Sequence, residues 1–144
     1  MTSSYTFGRY IVPQPLSQGD PFTWDTNQGP DGFANSGFTL MGYGNGFNAV
    51  QVGNGLFFVC ARIESDIGIR VRVYPDGVNS PNTAYSAAQT SGGSVQCTIL
   101  LQNHDSAVVR CEYDSPVDLD QGEADTIAAD CVNGTAQFSI IQFA

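Results

Sequence analysis

A chain of 144 residues, 42% of them hydrophobic and 11% aromatic, can bury one core unaided, which excludes a disordered segment. Its charge is sparse and one-sided: 14 acids stand against five arginines and no lysine, for a net charge of −9. That balance repels phosphate backbones and anionic bilayers, so neither nucleic acid nor a membrane surface is an expected partner.

No stretch approaches the ~20 apolar residues that span a bilayer. Met1-Thr2-Ser3-Ser4-Tyr5 has neither the basic nor the apolar region of a secretory leader. The first third is punctuated by Pro13, Pro15, Pro21 and Pro30 and by Gly19, Gly29, Gly32 and Gly37, leaving room only for short strands. Those expected are Tyr5–Val12, Phe22–Asp25 and Gly37–Gly42. The run Gly42 to Asn48 reads as turns, because Gly and Asn tolerate positive φ. No Gly-Lys-Ser/Thr follows it, which excludes a phosphate loop.

From Ala49 the strand signal strengthens. Ala49–Val52, Leu56–Ile63, Ile67–Tyr74, Val95–Gln102, Ala107–Tyr113 and Ala136–Phe143 are rich in Val, Ile, Phe and Tyr and are separated by turn clusters. No window carries an amphipathic helical period. The pattern predicts an all-β, two-layer antiparallel sandwich or barrel.

In Ile67–Tyr74 the alternation leaves one apolar face and one polar face. Leu56–Ile63 and Phe138–Phe143 are apolar on both. A two-layer sandwich covers only one face of each strand. With no helices expected, the second cover is another subunit, so the sequence predicts a homo-oligomer.

In order along the chain, Gly19-Asp20-Pro21-Phe22, Gly55-Leu56-Phe57-Phe58-Val59, Val71-Arg72-Val73-Tyr74-Pro75-Asp76-Gly77, the step Gly93 to Val108 and the apolar run Ala136 to Phe143 carry a likeness. They resemble the jelly-roll heads of the complement-subcomponent and tumour-necrosis-factor superfamily, especially those of phage fibres and of spore-surface collagen-like glycoproteins. The likeness covers Gly19 to Ala144. One departure is His104, which precedes Asp105 where the family usually has Gly. The resemblance implies a homotrimeric jelly roll whose last strand lies in the inner sheet against a threefold axis.

No catalytic, cofactor or metal site is expected. His104 is the only histidine and lies in a predicted turn with Asp105 and Ser106; three neighbours in sequence do not make a triad in space. The acids Asp114, Asp118, Asp120, Glu123, Asp125 and Asp130 read as a solvated loop. The calcium-loop alternative at Asp118-Leu119-Asp120-Gln121-Gly122 lacks a Glu at its twelfth position, which is Ala129. Arg62, Arg70, Arg72 and Arg110 are the basic charges of the strand region, and Arg70 and Arg72 fall on a wet face, where they would pair with surface acids.

Cys60, Cys97, Cys111 and Cys131 have no Cys-x-x-Cys spacing and read as buried thiols, with disulfides as the alternative. Reflecting Val95–Gln102 and Ala107–Tyr113 about His104 sets Cys97 opposite Cys111 if the two strands form a hairpin. If the chain crosses between sheets there, both still point into the core.

The resulting expectation is an arm over residues 1–20, attaching to a capsid or tail protein, and a jelly-roll head over residues 21–144. The head is read as a trimeric spike, fibre head or capsid decoration protein of a virion. It acts by assembly and surface display, with a host glycan or receptor as its outer partner. The alternatives are a secreted or spore-surface adhesin or lectin head, and a small carbohydrate-active enzyme using two acids.

Overall fold

The computed structural model describes residues 5–8, 11–26, 33–42, 46–67, 71–76, 84–85, 93–101, 107–131 and 136–143. His104, Asp105, Ser106 and Arg70 lie outside them, and of Arg72 and Cys97 only the backbone is described. In chain order the strands are β1 (Tyr5–Gly8), β2 (Ile11–Val12), β3 (Thr23–Asp25), β4 (Phe33–Ser36), β5 (Thr39–Met41), β6 (Gly46–Phe47) and β7 (Ala49–Val52). They continue with β8 (Gly55–Ile63), β9 (Val71–Asp76), β10 (Ala84–Tyr85), β11 (Gly93–Leu101) and β12 (Ala107–Tyr113). A helix, α1 (Gln121–Asp130), precedes the last strand, β13 (Ala136–Gln142).

Two five-stranded antiparallel sheets form the sandwich. Sheet I runs β11-β8-β13-β1-β4 and sheet II runs β10-β9-β12-β7-β5, with a small third sheet β2-β3-β6. Neighbours in sheets I and II are mostly distant in sequence, as a jelly roll requires. The expected all-β, two-layer antiparallel sandwich is what the chain forms.

The core follows from strand alternation. Phe57, Val59, Ala61 and Ile63 of β8, Ala136, Phe138 and Ile140 of β13, and Val109, Cys111 and Tyr113 of β12 are all buried. An aromatic cluster extends this core: Trp24 stacks on Phe138 with ring centroids 5.7 Å apart, Phe47 meets Phe138 at 6.0 Å, and Phe22 meets Tyr113 edge-on at 6.2 Å. Each such pair adds roughly 1 kcal/mol beyond the apolar area it buries. Gly42 serves this packing through its missing side chain, since a Cβ there would lie 2.6 Å from the Cα of Phe47.

The boundary drawn at residue 20 does not follow the fold. β1 lies inside sheet I, paired with β13 on one side (Thr6 opposite Ile140) and β4 on the other (Thr6 opposite Asn35). Leu16 and Leu119 exchange backbone hydrogen bonds of 2.9 and 2.8 Å. Tyr113 N–H donates to Asp20 O, and Phe22 N–H to Cys111 O, both at 2.9 Å. Pro13 and Pro15 shorten these strands without freeing the segment, because Ile11 and Leu16 on either side of them are buried and Leu16 keeps its backbone donor paired.

The hairpin setting Cys97 opposite Cys111 is also not made. β11 pairs with β8, which sets Cys97 opposite Val59, whereas β12 pairs with β9, which sets Cys111 opposite Val73. The chain crosses from one sheet to the other between them. Cys111 does face the core, fully buried and as a free thiol.

Because β1 is an interior strand, removing residues 1–12 should abolish cooperative unfolding and leave the single Trp24 solvent-exposed in its fluorescence. Retention of a cooperative melt near the wild-type temperature would show that sheet I closes without β1.

Candidate assembly surface

Sheet I turns one face to the core and the other outward. The outward residues of β8 are Leu56, Phe58, Cys60 and Arg62; those of β13 and its extension are Gln137, Ser139, Ile141 and Phe143. Strand register arranges them in rows across the sheet. Ile141 lies opposite Phe58, which itself lies opposite Thr98 of β11, and Tyr5 of β1 lies opposite Ile141. One step along, Ser139 lies opposite Cys60 and Cys60 opposite Gln96. The last row brings Gln137 and Ser94 to either side of Arg62.

The rows grade from apolar to polar. At one end Phe143 N–H donates to Leu56 O at 2.8 Å, and the Phe143 ring meets Phe58 edge-on at 6.4 Å. Ile141 and Phe143 remain 39% and 47% exposed, so the single chain leaves this end uncovered. At the other end Arg62 sits 3.5 Å from Glu64 in a half-exposed ion pair, which contributes little to stability. The two-sided apolar character expected of Leu56–Ile63 and of the last strand is therefore present in space. Covering the exposed Ile141 and Phe143 side chains would stabilise an assembly by about 25 cal/mol per Å² of apolar surface.

The remaining candidates resolve differently. Arg110 and Glu112, two apart on β12, form an ion pair in which Glu112 is fully buried. Alternation from the core residues Val109, Cys111 and Tyr113 places this pair on the outward face of sheet II. Burial, reinforced by the neighbouring Glu112 charge, pushes the Cys111 thiol far above the ordinary cysteine range and leaves it an inert hydrophobe. Cys131 is also buried, and its thiol donates to Glu64 O at 3.1 Å.

The acidic stretch is not the expected loop. It contains α1, whose N-cap is Asp120: its carboxylate accepts from Glu123 N–H at 2.8 Å, and Glu123 Oε1 accepts from Asp120 N–H at 3.2 Å. This reciprocal pair is a capping box. Ala124 and Ile127 bury one side of the helix, and Ser65 Oγ donates to Asp130 at 2.6 Å near its C-terminal end. Only those two helical positions are buried, which is why apolar periodicity missed the helix. The spacing Asp120-x-x-Glu123 was the signal available. Among the described residues no group of three or more His, Cys, Asp or Glu side chains is placed to hold a metal ion.

No protein-family model matches the sequence, and comparison with curated protein sequences finds no match. Solved structures do match. The crystal structure of murine APRIL aligns at 9% identity over 99% of this chain and 100% of that one, with a TM-score of 0.55. The structure of Eiger TNF from S. frugiperda aligns at 14% identity over 99% and 92%, with a TM-score of 0.43. The first likeness shows the fold alone, an all-β jelly-roll sandwich of the kind the resemblance implied.

If Asp120 is a cap, Asp120→Ala should lower stability by about 1 kcal/mol in denaturant titration. Millimolar calcium should leave the melting temperature of both proteins unchanged. A calcium-dependent rise in the wild type that Asp120→Ala abolishes would return this residue to the calcium-loop reading.

Proposed function

We propose that this chain is a structural head protein that works by homotrimeric assembly and surface display on a virion or phage particle, as a spike, fibre head or decoration protein. The observation that carries the reading is the apolar end of sheet I, where Ile141 and Phe143 are exposed beside the half-buried Leu56 and Phe58. A monomeric protein gains nothing from leaving those side chains in water, whereas an assembling one buries them between copies. The jelly-roll fold supports the reading, since in the family the sequence resembles the last strand lies in a trimer's inner sheet.

The working surface of such a head is the part that faces away from the contact. Sheet II and the α1 end fill that role here, and they concentrate acid: Asp114, Asp118, Asp120, Glu123, Asp125 and Asp130 lie between β12 and β13. This end of the head would meet a host glycan or receptor. Attachment to a capsid or tail protein would use the N-terminal segment, which then acts while also serving as a strand of sheet I. In this reading the protein is not an enzyme.

The test is made on particles. Phe58→Asp places a charge within the apolar rows and should yield a folded monomer that no longer joins purified particles of the natural source, while the wild type remains particle-bound. Incorporation of Phe58→Asp at the wild-type level would overturn the reading, as would finding the wild-type protein only outside particles.

A further inference from the structure

The corner that joins β12 to α1 reads Asp114-Ser115-Pro116-Val117-Asp118-Leu119-Asp120. Turns are ordinarily built from Gly, Asn, Asp, Ser and Pro, because those residues fit the bend or hydrogen-bond within it. Val117 does neither. It is 75% exposed, more than any other large apolar side chain among the described residues. A single exposed valine on a loose loop would need no explanation. This one is held in place.

The bracing comes from both sides of the bend. Tyr113 Oη donates to Val117 O at 2.6 Å, and Gln18 Nε2 donates to Asp114 O at 2.9 Å. Just before the corner Gly19 N–H donates to Tyr113 O at 2.8 Å, and within it Leu119 N–H donates to Leu16 O at 2.8 Å. Ser115 and Leu119 are buried, Asp120 caps α1, and Pro116 fixes its own φ. The backbone is thus tied down while Pro116 and Val117 stand exposed at the tip. An apolar group already held in one position loses little conformational entropy on docking, which is what an anchor residue requires.

The surroundings select the partner. Asp118 is exposed beside Val117, Asp114 is half-buried, and Asp120 and Glu123 follow at the start of α1. No arginine or lysine follows Arg110 in the chain, so nothing nearby in sequence offsets these acids. Phosphate and acidic sugars are repelled here. A neutral glycan is held by hydrogen-bonding side chains and the faces of aromatic rings, whereas the tip offers proline and valine and Tyr113 is buried. An apolar tip among carboxylates fits an apolar pocket on a protein whose rim is basic.

We infer that the Asp114–Asp118 corner is a preformed protein-docking knob, with Val117 entering an apolar pocket on the partner and Asp114 and Asp118 facing arginine or lysine at its rim. This rests on the reading of a displayed head above and makes the outer partner a protein, not a glycan.

The test uses labelled protein and intact cells of the host that the particles infect. The wild type should bind, and digesting the cell surface with proteinase K should remove the binding. Val117→Asp should weaken binding about tenfold or more. Asp114→Asn with Asp118→Asn should slow association and flatten its salt dependence. Ala129→Ser, exposed on α1, should bind as the wild type does. All variants should keep the wild-type circular dichroism and sedimentation, and Val117→Ser replaces Val117→Asp if the latter does not fold. Wild-type-level binding by the Val117 variant would overturn the knob while leaving the displayed head intact, as would binding that survives proteinase and is lost on periodate oxidation of surface glycans. A wild type that binds no host cell would overturn the outer partner altogether, and the knob with it.

Discussion

β8 and β13 lie side by side near the centre of sheet I, and towards the Phe58 and Ile141 end both carry apolar side chains on both faces. The rest of the structure depends on that constraint. Their inward side chains must meet an equally apolar layer, which sheet II supplies through Val50, Val52, Val109, Cys111 and Tyr113. At the Phe58 and Phe143 end the outward rings meet only edge-on, and Ile141 and Phe143 stay partly exposed among the described residues. A sandwich satisfies the first demand and leaves Ile141 and Phe143 exposed on the outward side.

The charge of the chain bears on how that outward side can be covered. At −9 each, copies repel one another, so contact must occur where acid is absent. The outward rows of sheet I from Leu56 to Cys60 and from Ser139 to Phe143 contain no acid, and the Arg62–Glu64 pair stands at their polar end. The acids gather instead around α1, where Asp120 and Glu123 cap the helix and Asp125 accepts from Gln121 at 2.8 Å. The chain thus separates an acid-free apolar surface from an acid-rich one around α1. Screening by salt weakens the repulsion between copies and leaves the apolar contact in place.

Much of the sandwich was legible because strand alternation is a local property. Ala49–Val52 and Ala107–Tyr113 form strands with the bounds read from their residues, and the outward row of β8 follows from simple period-two counting. What failed needed information from outside the segment. Pro13 and Pro15 made the first twenty residues look like an arm, yet β1 is held by β13, more than a hundred residues away. Cys97 and Cys111 looked like hairpin neighbours because the pairing of β11 with β8 and of β12 with β9 cannot be seen from spacing around His104. α1 buries only Ala124 and Ile127, too few positions for a period, and its capping box was hidden among acids that read as a solvated loop. The candidate surface was half legible: the need for cover could be read from Leu56–Ile63, but the rows that join Phe58 to Ile141 required the register.

The central claim is that the apolar end of sheet I is buried between copies in solution. Sedimentation equilibrium of the wild-type protein at micromolar concentration tests it most directly. The account predicts a single species of three times 15.3 kDa that persists in high salt, because the contact is apolar. A stable species of 15.3 kDa under the same conditions would contradict it.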